Sequence, residues 1–444
     1  MKSLLRNEAL AISVLHQLPS EFFPSLFKEA FRSRHMKILT AMVAEWPFSC
    51  LPVGALMQAP DVVILQAVLD GVRHAVERAG SPEKVEASSP GPEKKCHVFW
   101  DVWPGIECGE TSTGTLSKEQ KENDLPRYAL RQRLKVVTPL YLAVHPYEEQ
   151  AYLLQWAQQQ QGAVQLCCLK MIINNTPEQL FMMVFNTFKP YYIEELHLSV
   201  WWSPRVLSHF AYCFGQMRNL RKLHLHRITI YTYREVYTLE DIEKYTTRFF
   251  AQISKLRCLQ DFLINDLDFC NEHMKQFFRC LKSPLESLSI KLHKFSPSDW
   301  KYLSQSLQVL LKSVADTLQT LQISNCCIRD SEHGTLLPAL SQCLQLSSVN
   351  FYDTAISMSA LKDLLQSLAN LSKLTEEHYP APLECYDDQG HVLVNKFANV
   401  CLDLLNTIRV RRQPKVIDFA TKSCSKCSQR CVFDRKPRLC PCLL

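Results

Sequence analysis

Four cysteines near the end of the chain have the spacing of a metal site: Cys424-x-x-Cys427 and, after twelve residues, Cys440-x-Cys442. A two-residue gap lets one tight turn aim two sulfurs at the same tetrahedral ion, so the set is close to the ligands of zinc ribbons and knuckles. Lys426 and Arg438 stand beside these thiols and favour the thiolate. The spacing predicts one structural zinc, with Cys431 outside the set and no other cofactor required; the competing reading is a flexible tail of free thiols. Prenylation is excluded, since the C-a-a-X motif needs a cysteine fourth from the end, where this chain has Pro441.

Fourteen histidines invite a catalytic reading. His197, His224 and His226 alternate with leucines, yet spacing fixes no carboxylate or nucleophile beside them. No Ser-His-Asp, H-E-x-x-H or paired-carboxylate arrangement stands out. They read as solvated sheet residues, and the chain as a non-enzyme. Eleven glycines, well below the average of ~7%, and the absence of G-x-G-x-x-G and G-x-x-x-x-G-K-[ST] argue against a phosphate-binding loop.

The elements that must carry these residues repeat. Leu318, Leu321, Ile323, Cys326 and Ile328 fill the apolar positions of a leucine-rich repeat, with Asn325 one place before the usual Asn/Cys. Neighbouring copies run through Ile193, Leu196, Leu198; Leu220, Leu223, Leu225, Ile228; Leu259, Phe262, Ile264, Leu267; Leu285, Leu288, Ile290; and Leu346, Val349, Phe351, Ile356. From the second apolar position of each unit the steps are 27, 39, 26, 33 and 28 residues, with a fading seventh copy at Leu371 and Leu374 after 25. The L-x-L alternation predicts strands whose leucines point inward, and runs such as Arg205 to Met217 and Ser357 to Leu368 predict return helices. Tyr231 to Leu239 reads as an insertion. The expected fold is an α/β leucine-rich-repeat solenoid, a horseshoe with a parallel sheet on the concave face and helices on the convex face, preceded by an N-terminal helical module. On that concave face the exposed positions include His197, His224, His226, Asn265, Lys291, Gln322, Asn350 and Tyr352. This polar mixture suits recognition of an unknown protein substrate, with Tyr352 as the anchor.

Charge is local. The net +6 arises from residues 409–444, which carry ten Lys/Arg against Asp418 and Asp434, leaving −2 for the rest. The tail reads either as a solvated terminus or as a nucleic-acid contact; only Phe419 and Phe433 offer aromatic groups among the charges. No apolar run approaches the ~18 residues of a membrane span. The start shows no secretory pattern, and many of the nineteen cysteines fall in expected core or helix. A reducing compartment is expected, cytoplasmic and also nuclear.

Residues 1–79 read as a helical module with amphipathic runs over Asn7–Leu18, Ser20–Phe31, Arg34–Glu45 and Asp61–Arg78, jointed by prolines. Leu18, Pro19, Phe22 and Leu26 have the spacing of the box by which elongin-dependent receptors contact cullin-2, with Leu5 and Ala9 in an upstream elongin-type box. The same stretch, extended to Trp46, is similar to an F-box, which would use Skp1 and cullin-1. In both cases an amphipathic helix lays its apolar stripe in an adaptor groove; the alternative is plain core. Residues 80–127 lack the apolar content for a core and read as a disordered linker interrupted by a docked Val98–Trp103 segment. The repeat domain is expected over 128–408, led in by a capping strand at Ala163–Ile173, and the basic cysteine-rich tail over 409–444.

Several stretches together resemble the PRAME family (preferentially expressed antigen in melanoma): Leu18-Pro-x-Glu-Phe-Phe-Pro-x-Leu-Phe-x-Glu-Ala-Phe31, Trp46-Pro-Phe-x-Cys50-Leu-Pro, Leu65-Gln-Ala-Val-Leu-Asp-Gly71, Phe99-Trp-x-Val-Trp103, Tyr379-Pro-x-Pro-Leu-Glu-x-Tyr386 and Cys440-Pro-Cys442. The resemblance implies a leucine-rich-repeat substrate receptor working with elongin B/C and cullin-2. It also implies roles in repressing transcription, including retinoic-acid-receptor signalling, in restraining differentiation and apoptosis, and germline-biased expression. Where family members carry Trp-Lys-Leu-x-Val-Leu-Asp-Leu before Phe99, this chain has Glu83-Lys-Val-Glu-Ala-Ser-Ser-Pro, so the first cap strand is in question. The family's L-x-x-L-L motif is assigned to no position.

Overall fold

The computed structural model describes residues 2–48, 50–54, 61–79, 134–160, 162–202, 210–230, 238–265, 271–281, 283–292, 297–324, 326 and 328–443. The expected linker 80–127 with its Val98–Trp103 segment, the Glu83–Pro90 stretch, Asn325 and the insertion as far as residue 237 lie outside these. The chain forms two compact units, residues 1–171 with 177–189, and residues 172–176 with 190–444.

In the first unit the amphipathic runs are helices at Glu8–Val14, Phe23–Arg32, Met36–Ala44 and Val62–Ala79. Asn7 caps the first by accepting the Leu10 amide at 3.1 Å. In Phe23–Arg32, Phe23, Leu26, Phe27 and Ala30 share one stripe and are all buried. Trp46 receives Phe23 and Phe27 edge-on, and its indole N–H donates to the Cys50 carbonyl at 2.9 Å. Helices Met36–Ala44 and Val62–Ala79 cross at Gly71, where a Cβ would meet the Thr40 carbonyl oxygen and Val43 Cβ at 2.6 Å. Only glycine permits so close a crossing.

This unit also holds a sheet that the helical reading of residues 1–79 omits. Strand β1 (Cys50–Pro52) pairs in parallel with β2 (Lys135–Val137), and β2 with β4 (Gln165–Cys167); β3 (Leu140–Leu142) lies between β2 and β4 in sequence. Residues 134–171 fall in the first compact unit, whereas the sequence placed the start of the repeat domain at 128. Three-residue strands are stable only when paired, and β1 supplies the partner. The expected capping strand at 163–173 is divided into β4 and β5 (Lys170–Asn174), with a break at the buried Cys168.

The second unit is a parallel sheet with helices. Its strands follow chain order: β6 (Glu195–Trp202), β7 (Lys222–Ile230), β8 (Asp261–Asn265), β9 (Ser287–Lys291), β10 (Thr320–Ile323), β11 (Ser348–Asn350), β12 (Glu376–Pro380) and β13 (Val416–Ala420). Among the predicted repeat positions with a described side chain, all are buried, Leu371 and Leu374 included. One carbonyl per repeat sets the register: Glu194, Arg221, Gln260, Glu286, Gln319 and Ser347 each accept two successive amides of the next unit at 2.8–3.1 Å. Helices Leu239–Ile253, Asn271–Cys280, Pro297–Ser313, Asp330–Leu340 and Met358–Ser367 pack each on the next.

The tail corrects the expectation of a solvated terminus. Helix Val394–Arg409 runs across the assumed boundary, β13 is a further parallel strand, and β14 (Val432–Phe433) and β15 (Pro437–Arg438) end the sheet as antiparallel strands. The cause is apolar content: Phe419, Ala420, Cys431, Phe433 and Cys440 are buried. Two of the ten cations are held in half-buried ion pairs, Arg412 to Glu377 at 2.6 Å and Arg430 to Asp353 at 2.5 Å, and Arg438 meets Asp434 at 3.1 Å on the surface.

Candidate functional site

The tail cysteines converge. Cys424 to Ser428 is a tight turn closed by the Ser428 amide on the Cys424 carbonyl at 2.9 Å, with Ser428 in the left-handed region at φ 57°. Through this turn the amides of Cys427 and Lys426 donate to the Cys424 sulfur, which also shares hydrogen bonds with Cys427 and Cys442 and is lowered to about 6. The β14–β15 hairpin brings the other arm. The ligand atoms of Cys424, Cys427 and Cys440 lie within 4.8 Å of one another, and Cys442 hydrogen-bonds Cys427 and Cys424. Burial raises Cys440 to about 11, and the hydrogen bond to Cys427 is the main cause that raises Cys442 to about 11. In this crowd of thiols each ionisation opposes the next, and a divalent cation removes that opposition. Cys431 stays outside the four but accepts the Cys440 amide at 3.4 Å, orienting that arm.

The sheet presents one row in register that is polar except for Leu263, His197–His224–Leu263–Ser289–Gln322–Asn350–His378–Asp418, and a shorter polar one, Ser199–His226–Asn265–Lys291. Every predicted concave-face residue is half-buried rather than freely solvated, because each is flanked by its neighbours at strand spacing. Ser289 donates to Gln322 at 3.1 Å, and Gln322 to Ser324 at 3.2 Å. Tyr352 is not the open anchor expected of it. Its hydroxyl donates to Asp418, Arg430 lies 5.4 Å from its ring centroid, and Asp418 also holds His378 at 3.1 Å. Burial and Asp418 together raise the phenol far above its ordinary range.

Comparison with known proteins decides the family. A model of the PRAME N-terminal domain matches residues 1–88, and one of the PRAME C-terminal domain matches 134–307 and 304–442. The chain belongs to the PRAME family. PRAME family member 12 of Homo sapiens is 36% identical over 99% of this chain and 95% of its own length. Oogenesin-3 of Mus musculus is 34% identical over 98% and 91%. A solved internalin C2 from Listeria monocytogenes aligns with 55% of this chain and 71% of its own at 15% identity and a TM-score of 0.22, too distant to bear on the fold. The second stretch of the PRAME C-terminal match takes in all four tail cysteines.

In this PRAME-family chain the docking-box residues separate by burial. Leu5 and Leu26 are core, which removes them from any docking surface, while Leu18 is half-buried and Ala9, Pro19 and Phe22 are exposed. Leu26 faces inward because it shares the helical stripe of Phe23, Phe27 and Ala30. Leu10, 51% exposed, and Phe22, 46% exposed, are the most accessible large apolar groups of this stretch, followed by Ile12, and sequence spacing did not single out Leu10. Two segments have L-x-x-L-L spacing, Leu307–Leu311 and Leu361–Leu365, and both bury all three leucines in helices. The sequence reading also missed Glu195 and Asp261, which face the histidines. The signal for Glu195 was present, since residues two apart on a strand share a face.

Proposed function

We propose that this PRAME-family chain is a non-enzymatic substrate receptor of a cullin-2 ubiquitin ligase, recruited through elongin B/C, with protein targets bound on the polar face of the repeat sheet. In this reading the sheet curves as a leucine-rich-repeat horseshoe with that face concave and the helices convex. The observation that carries the proposal is the in-register, largely polar row crossing eight parallel strands, a broad face held rigid by one shared carbonyl per repeat. Exposed Pro19, Phe22 and Leu10 supply apolar contacts for the adaptor. Target removal from the cytoplasm and nucleus would then underlie repression of transcription and restraint of differentiation and apoptosis, with proliferation favoured. The rival, a chromatin binder acting through the basic tail, loses ground because Arg412 and Arg430 are already held in shielded ion pairs.

Affinity purification tests the proposal. Elongin B/C and cullin-2 should co-purify and be lost with Leu10→Asp plus Phe22→Asp at an unchanged thermal midpoint; finding neither this pair nor Skp1 with cullin-1 rules the receptor reading out. A steep salt dependence of DNA binding, removed with the tail cations, would support the rival. We further propose that Cys424, Cys427, Cys440 and Cys442 hold one structural zinc. Metal analysis of the reduced protein should show one equivalent lost on replacing Cys424 and Cys427 by serine; an unchanged content means that the thiols are free.

A further inference from the structure

We propose that His197, His224 and His226 form a second metal site, binding one divalent late-transition-metal ion of the zinc class and independent of the tail thiols. The three imidazoles come from two strands and lie on one face of the sheet. His197 and His224 are direct register partners with ring centroids 4.3 Å apart, and His226 follows His224 by the two residues that return a strand to the same face. The ligand atoms of the three all lie within 4.8 Å of one another. Donors around an ion at ~2.0–2.1 Å sit ~3.3 Å apart, so modest side-chain rotations close the set.

The surroundings are those of imidazole ligands. Glu195 Oε1 is 2.7 Å from His197 Nε2, the carboxylate–imidazole pairing that orients a ligating ring and raises its basicity. Asn265 lies 3.5 Å from His226 Nδ1 on the next strand. One polar atom here points to a missing partner: Asn265 Oδ1 is buried without a hydrogen bond among the described residues. Asp261 Oδ2 stands 3.4 Å from His224 Nε2, the separation of two donors sharing one cation. Asp261 lies outside the 4.8 Å cluster of the three imidazoles but beside His224, and a side-chain rotation would bring it in as the fourth donor. Imidazole with one carboxylate suits zinc, and copper or nickel by the same chemistry.

The test uses the reduced full-length protein, stripped by chelator and titrated with zinc against a chromophoric competitor, in a Cys424→Ser, Cys427→Ser background that silences the tail. One equivalent should bind. His197→Gln with His224→Gln should abolish it while the metal-free thermal midpoint stays put, and Asp261→Asn should weaken it about tenfold. No binding in the serine background, or an equivalent that survives the histidine changes, overturns the site. If the serine background fails to fold, cobalt(II) on the unaltered chain serves instead. The histidine changes must then remove a visible absorption that lacks thiolate charge transfer; an unaltered spectrum refutes the proposal.

Discussion

At the scale of single residues, His333 shows how burial converts an ionisable group into a liability. Its ring lies in the core edge-on to Phe351, both nitrogens lack hydrogen bonds among the described residues, and desolvation depresses it to about 4, with Asp330 and Glu332 opposing only in part. The unfolded chain, with the ordinary histidine value of about 6.5, takes up the proton at a higher pH than the folded one. Stability is therefore whole above about pH 6.5 and declines as pH falls from there towards 4, by ~3 kcal/mol over the interval. His333→Leu should flatten this part of the pH dependence. Urea midpoints at pH 7 and 4.5 measure it, and an equally steep loss in the variant would show that other groups drive it. Nothing in the sequence marked His333, because it occupies a helix position where a solvated histidine has the same spacing. Tyr352 was misread for the converse reason: its position on the sheet face was legible, but its partners Asp418 and Arg430 come from a segment read as a free tail.

At the scale of elements, the repeat strands were readable because L-x-L alternation is enforced by burial on one face, and Leu321 is fully buried between Leu288 and Val349. Leu321→Asp places an unpaired carboxylate there and should cost several kcal/mol, seen as a fallen thermal midpoint or loss of soluble protein. A midpoint within error of the parent would remove β10 from the core. Short strands with little alternation escaped notice. Cys50-Leu51-Pro52 contains a proline, and Val432-Phe433 is too brief for any period to register. The tail cysteines were legible as a set, since metal-ligand spacing needs only a local turn, whereas the histidine trio required knowing that β6 and β7 are neighbours in register.

For the molecule as a whole, the C-terminal segment is bound into the sheet through a buried ion pair. Glu377, wholly buried in β12, accepts Arg412 at 2.6 Å and the Tyr379 hydroxyl at 2.6 Å. Removing one partner leaves the other stranded, so Arg412→Met should cost ~3–5 kcal/mol. The paired change with Glu377→Leu should recover most of that loss. Denaturant unfolding of the two variants decides the matter; equal stabilities would mean that the pair contributes little. Deleting residues 409–444, harmless if they were a solvated tail, should instead expose the β12 edge and give aggregated protein.

The antiparallel pair that ends the sheet also bears on how such a chain can change over generations. Its outermost strand is two exposed residues, Pro437 and Arg438, a proline without an amide donor beside a cation, so no further strand can be added there. From β6 to β12 each junction is made alike, one carbonyl receiving two amides, and a duplicated unit inserted between β9 and β10 would find the same welcome on both sides. Lengthening by duplication is therefore open in the interior and closed at this terminus, and longer descendants would carry the hairpin and its cysteines unchanged at their end.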